Sequence, residues 1–73
     1  MTYRDLYKRA FGLTDNHYTD SEWRSIESEM AQVIAADTDA KAAKVIEWWY
    51  EYLPYGKGRA LRDVKKLRKI WNR

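Results

Sequence analysis

The spacing of apolar and polar residues along the chain predicts a series of short helices. In the first, intervals of three and four residues place Tyr3, Leu6, Tyr7, Ala10 and Phe11 on one face. Thr2 and Asp5 suit a capping box at its start, and Gly12 suits a left-handed stop at its end. The pattern therefore predicts a helix from about Tyr3 to Phe11.

The second helix has the clearest start signal in the sequence. Thr19 and Glu22 have the spacing of a capping box, and Tyr18 and Trp23 sit at the staple positions outside it. The predicted buried stripe consists of Trp23, Ile26, Met30, Val33 and Ile34. We expect this helix to end near Ala36 and a polar loop, Thr14 to Tyr18, to precede it.

Two further helices are predicted in the second half of the chain. The third, about Asp39 to Tyr52, is apolar around most of its circumference, which is typical of the central helix of a bundle, and Pro54 follows its end. Tyr55 to Gly58 is predicted to be a loop, and the fourth helix runs from about Arg59 to Trp71. Its core-facing residues are predicted to be Ala60, Leu61, Val64, Leu67 and Trp71.

These elements predict an all-α fold, a compact bundle of three to four short helices in a single domain, residues 1–73. With no cysteine, the core of so short a chain depends on its aromatic residues, which are four Trp, six Tyr and one Phe. The layout of the last three helices resembles that of trihelical helix-turn-helix domains with a basic third element. The connection from Leu53 to Arg59 is longer than the usual turn of those domains.

Charge is distributed unevenly along the chain and changes the picture of its surface. Residues 1–53 carry six Lys/Arg and ten Asp/Glu, whereas residues 54–73 carry eight Lys/Arg and one Asp. The chain is therefore an acidic body, 1–53, followed by a basic segment, 54–73. Such asymmetry is typical of contact with nucleic acid or with a membrane.

The basic residues of the fourth helix fall on one side of it. At 100° per residue, a sector of about 80° contains Arg59, Arg62, Lys66, Lys69 and Arg73. Like charges three or four residues apart on a helix repel by roughly 0.2–0.5 kcal/mol per pair, and binding of a polyanion would replace this repulsion by attraction. Lys57 lies between two glycines before Arg59, and this segment is a candidate phosphate clamp at the helix start.

Aromatic residues near the basic segment are candidate anchors for a base or for a partner protein. Trp49, Tyr50 and Leu53 are expected to face the core together with Ile46. Residues expected to be partly exposed are Trp48, Tyr52 and Tyr55. The alternative for these three is that the first helix and the C-terminal end cover them.

The sequence lacks the combinations of residues that catalysis or metal binding requires. Its one histidine, His17, is expected to be an exposed loop residue, and Glu47 and Glu51 are expected to lie on a solvated helix face. No phosphate-binding or dinucleotide-binding fingerprint is present. We therefore predict a protein that is not an enzyme, takes no cofactor or small-molecule substrate, and is soluble, unprocessed and cytoplasmic.

Two functions are predicted. The first is a regulatory protein that contacts nucleic-acid phosphates through the fourth helix, by positioning contacts more than by base reading. The second rests on a similarity in size, charge split and aromatic content to small phage-encoded accessory proteins. It implies an inhibitor or adaptor in the host cytoplasm that binds a nucleic-acid machine, such as RNA polymerase or a CRISPR effector, and blocks its channel. A helix lying on an anionic membrane and a homodimer are further alternatives.

Overall fold

A computed structural model describes the backbone of residues 1–51, 53–54 and 56–72, and the side chains of all of these except Lys57. Four α-helices follow one another along the described chain: α1 (Tyr3–Phe11), α2 (Asp20–Ala35), α3 (Asp39–Ile46) and α4 (Gly56–Trp71). Two 3-10 turns lie between them, the first over Asp15–His17 and the second over Glu47–Tyr50. The all-α prediction is confirmed. Within the described residues, none of the helices has the length and apolar character needed to cross a bilayer.

Local capping chemistry determines where α1 and α2 begin. The Thr2 and Thr19 hydroxyls each accept a hydrogen bond from the backbone amide three residues later, and the Asp5 and Glu22 side chains accept from the capping residues' amides. Both predicted capping boxes are thus confirmed. Gly12 ends α1 with φ of 67°, in the left-handed region where glycine carries no penalty. At the start of α3 the Thr38 hydroxyl accepts a hydrogen bond from the Lys41 amide.

All four helices contribute to one core. Completely buried side chains that make up its centre are Leu6, Met30, Val33, Ala42, Ile46, Ala60, Val64 and Leu67. Trp23 is 1% exposed, and its indole N–H donates to the Asp15 carbonyl at 2.9 Å. Tyr3 and Trp71 stack with ring centroids 4.9 Å apart, so the two ends of the helical sequence meet. The predicted apolar stripes are the ones that the fold buries or packs against the core.

The third helix is shorter than predicted. It ends at Ile46, and the chain then tightens into the second 3-10 turn instead of continuing to Tyr52. Trp49 and Tyr50 pack against the core, as expected, whereas Leu53 is 42% exposed, contrary to the prediction. Glu47 and Glu51 consequently do not share one face of a regular α-helix.

The fourth helix begins three residues earlier than predicted. Gly56, Lys57 and Gly58 form its first turn, so the predicted loop is wrong over these three residues, and Tyr55 lies outside the described residues. Gly56 is buried against the second 3-10 turn, and a Cβ added there would overlap the Tyr50 carbonyl oxygen. The first glycine of the proposed phosphate clamp therefore serves close packing instead of leaving the backbone open to a ligand.

Candidate nucleic-acid interface

One face of α4 presents a row of exposed cations, which we call the basic stripe. Its members with described side chains are Arg59, Arg62, Lys65, Lys66 and Lys69. A rise of 1.5 Å per residue makes the row about 15 Å long, which matches roughly four to five base-pair steps of a duplex. The stripe exists because α4 places its small and apolar residues, such as Ala60 and Val64, towards α1, α2 and α3.

The cations of the stripe lack anionic partners in the described part of the chain. No carboxylate of a described residue lies within 4.0 Å of the five charged groups. Arg68, on another side of the same helix, behaves differently, because it pairs with Asp39 at 3.4 Å and donates to the Thr38 carbonyl at 3.0 Å. One helix thus carries an arginine that joins α4 to α3 and five cations that form no ion pair with a described residue.

The single acid of α4 does not pair with the stripe. Asp63 is half-buried and accepts a hydrogen bond from the Tyr50 hydroxyl. Burial raises the pKa of the Tyr50 phenol above its ordinary value, and the hydrogen bond to Asp63 raises it further. The hydrogen bond joins the second 3-10 turn to α4. Asp63 therefore helps to hold in place the helix that carries the stripe.

A shallow groove lies beside the stripe, between α1, the second 3-10 turn and α4, and we call it the α4 groove. Two stripe residues, Arg59 and Lys66, line it together with Asp63. Its remaining lining is aromatic or apolar: Tyr7, Phe11, Trp49, Tyr50 and Leu53. Rings beside cations are the combination on which the bases of a single strand stack while its phosphates are neutralised.

The helix start also differs from the predicted arrangement. Because α4 begins at Gly56, Arg62 lies in the second turn and not in the first. The unfavourable interaction of a cation with the positive end of the helix dipole therefore applies to Arg59, which lies within the first turn, and not to Arg62. Among the predicted binding residues, Arg73 and the side chain of Lys57 lie outside the described residues.

Of the three predicted aromatic anchors, the structure describes Trp48. Its side chain is 61% exposed, as expected, and its indole N–H donates to the Glu29 carboxylate at 2.7 Å. Trp48 therefore faces α2 as well as the start of α4, where it lines a depression with Gly56 and Gly58. Tyr52 and Tyr55 lie outside the described residues.

Sequence reasoning missed two residues that shape this surface. Lys65 lies about 40° beyond Lys69 around α4, outside the 80° sector of the sequence prediction, although the helical period alone places it next to that sector. Glu29 accepts hydrogen bonds from both Trp48 and Trp49. No local signal reveals that role, because the partners are 19 and 20 residues away on another element.

Candidate chemistry elsewhere is sparse in the described residues. No group of three or more His, Asp or Glu among them is arranged to hold a metal ion. His17 is exposed in the first 3-10 turn, where its ring meets the edge of Tyr18. No protein-family model, curated protein or solved structure matches this chain.

Proposed function

We propose that this chain is a non-enzymatic binding protein whose basic stripe holds the phosphates of a nucleic acid. One observation carries the proposal: five exposed cations lie along one helix face without an anionic partner among the described residues. Mutual repulsion between neighbours at i,i+3 and i,i+4 destabilises α4 by a few tenths of a kcal/mol per pair. A phosphate backbone removes this repulsion and gains entropy from the release of its condensed counterions.

The stripe favours positioning contacts over sequence reading. Its five members are Arg and Lys alone, and the side chains that read adenine, Asn and Gln, do not occur among them. We therefore propose binding that depends on phosphates and varies little with base sequence. Binding of α4 to a membrane surface is less favoured, because the apolar residues that it would insert into lipid form part of the core. Val64 and Leu67, for example, are completely buried.

The test is a titration of fluorescently labelled duplex and single strand at about 50 mM salt, followed by anisotropy. We expect dissociation constants in the micromolar range, which is typical of non-specific phosphate binding. In the variant Arg62→Glu, Lys66→Glu, Lys69→Glu we expect affinity to fall by more than about a hundredfold. Because the α4 groove places aromatic rings beside two cations, we expect the single strand to bind at least as tightly as the duplex.

A second triple variant controls for net charge. Arg9, Arg24 and Lys44 are exposed, lie on the other three helices and have no described carboxylate within 4.0 Å. Replacing these three by Glu changes the net charge by the same amount as the stripe variant. Retained affinity in this control and lost affinity in the stripe variant, with circular dichroism showing both folded, support the proposal. Equal losses in both would contradict it, because net charge and not the stripe would then control binding.

A second candidate function, an inhibitor or adaptor of a nucleic-acid machine, is favoured by the exposure of Trp48. An indole that is 61% exposed and fixed by a hydrogen bond is suited to anchor a protein interface. The salt dependence of the affinity distinguishes the two candidate functions. Phosphate binding by five cations disappears at about 500 mM salt, whereas an interface anchored by aromatic residues keeps most of its affinity.

A further inference from the structure

A second groove, which we call the α2 groove, lies between α2 and a chain of aromatic rings. Four rings form one wall by successive edge contacts: Tyr18, Tyr7, Trp49 and Trp48. Their centroids are 6.1, 5.8 and 6.3 Å apart in that order, and the outer pair at one end is joined by a hydrogen bond of 3.2 Å between the two tyrosine hydroxyls. The groove encloses about 550 Å³, within the range of ligand sites.

The opposite wall is one edge of α2 and carries two carboxylates. Glu22 and Glu29 lie two turns apart, with Ser25 and Ile26 between them. Hydrogen bonds from Thr19 lower the pKa of Glu22, so this carboxylate stays ionised at neutral pH. Neither lysine nor arginine occurs among the described residues that line the groove. The lining therefore combines aromatic rings with negative charge, the opposite of the basic stripe.

Glu29 connects the two walls. One of its carboxylate oxygens accepts the indole N–H of Trp48 at 2.7 Å and that of Trp49 at 3.0 Å. This bridge fixes the exposed Trp48 ring in the wall of the groove, whereas an untethered surface tryptophan would sample several rotamers. The other oxygen of Glu29 makes no hydrogen bond to a described residue. It is left as an acceptor beside the two indoles.

We propose that the α2 groove binds an arginine side chain of a partner protein, with the guanidinium on Glu29 and stacked against Trp48. Charge complementarity selects a cation, and the rings select one that is planar and weakly hydrated. A guanidinium satisfies both conditions, because it donates to a carboxylate in the plane of its fork while its face lies on an aromatic ring. A lysine ammonium is a compact, strongly hydrated charge and loses more hydration in such a site.

This inference does not rest on phosphate binding by α4, because the two sites have opposite charge and require different ligands. The test uses nuclear magnetic resonance of the ¹⁵N-labelled chain. The probe is a short glycine–arginine repeat peptide, compared with the equivalent glycine–lysine peptide. Indole N–H signals report the site directly: those of Trp48 and Trp49 should shift on titration, whereas that of Trp23, bonded to the Asp15 carbonyl, should not.

Two glutamates of α2 provide a matched pair of variants. Glu29→Gln removes the charge but keeps an oxygen that accepts the indole N–H groups, and we expect it to weaken binding of the arginine peptide about tenfold. Glu27→Gln changes the net charge equally, but Glu27 faces Arg4 at 3.7 Å and does not line the groove, so affinity should not change. Trp48→Phe alters an exposed residue and should weaken binding without unfolding the chain.

The expected result is preference for the arginine peptide, shifts confined to the groove, and loss of affinity in Glu29→Gln and Trp48→Phe alone. Equal affinity for the lysine peptide would overturn the proposal, because it would reduce the site to general charge attraction. An equal loss in Glu27→Gln, or the absence of shifts at both indoles at about millimolar peptide, would also overturn it. None of these outcomes depends on whether the basic stripe binds nucleic acid.

Discussion

Two glycines in the first turn of α4 have opposite predicted responses to alanine. Gly56 is buried, and an added Cβ would lie 2.8 Å from the Tyr50 Cβ and overlap its backbone carbonyl. Gly58 is exposed, and an added Cβ would meet nothing within 4 Å. Both substitutions increase helix propensity, so the difference between them isolates the contact between α4 and the second 3-10 turn.

The magnitudes follow from this geometry. Carbon atoms normally approach to about 3.5–4.0 Å, so Gly56→Ala forces a displacement of about 1 Å in a packed interface. Such overpacking costs about 1–3 kcal/mol, and the gain in helix propensity offsets about 0.5–1 kcal/mol of it. We therefore expect Gly56→Ala to lower the free energy of unfolding by about 1–2 kcal/mol. Gly58→Ala should raise it by about 0.5–1 kcal/mol.

Urea unfolding followed by circular dichroism measures both free energies. For a domain of this size the expected changes correspond to a fall in Tm of about 4–16 °C for Gly56→Ala and a rise of a few degrees for Gly58→Ala. A Gly56→Ala variant as stable as Gly58→Ala would refute the reasoning. Gly56 would then not be packed against the second 3-10 turn. The segment before Arg59 would instead be an open loop, as the predicted phosphate clamp requires.

Three further predictions concern side chains whose polar groups make hydrogen bonds within the fold. Trp23→Phe removes the donor to the Asp15 carbonyl and also shortens a buried ring, so it should lower the free energy of unfolding by at least about 1–2 kcal/mol in urea titrations. Thr19→Ala removes a helix cap and should lower Tm by about 4–8 °C at pH 7. The pKa of Glu22 is lowered in the folded state by hydrogen bonds from the Thr19 amide and the Thr19 hydroxyl, and the variant loses only the second of these. The stabilisation from that bond is present above the unfolded pKa and is lost as pH falls, so the difference in Tm should narrow in acid without vanishing. The pKa of Tyr50 is raised by burial, so its stabilisation is lost above about pH 10, and Tyr50→Phe should reduce the alkaline fall in Tm.

Elements with local signals could be predicted from the sequence. The first helix has the predicted bounds, Tyr3 to Phe11, because its capping box and its terminal glycine act within a few residues of the helix ends. The exposure of Arg59, Arg62, Lys66 and Lys69 also follows from the helical period. In these cases the information lies in adjacent residues, and no distant contact is needed.

Elements that depend on tertiary contacts could not be predicted. The run from Ala40 to Tyr50 has an unbroken helical pattern, yet α3 gives way to a 3-10 turn after Ile46. The tighter turn places Trp49 against Tyr7 and Phe11 of α1, a contact that no local pattern encodes. The early start of α4 and the hydrogen bonds from two tryptophans to Glu29 likewise depend on contacts between residues far apart in the sequence.

The central claim, that α4 binds phosphates, is tested most directly by the salt dependence of nucleic-acid affinity. Five phosphate contacts predict a slope of about −4.5 for the logarithm of the association constant against the logarithm of salt, or about 10²–10³-fold weaker binding from 50 to 200 mM. Lys66→Ala should reduce the slope by about 0.9. A slope near zero, or one that Lys66→Ala and the charge reversal of the stripe leave unchanged, would contradict the claim.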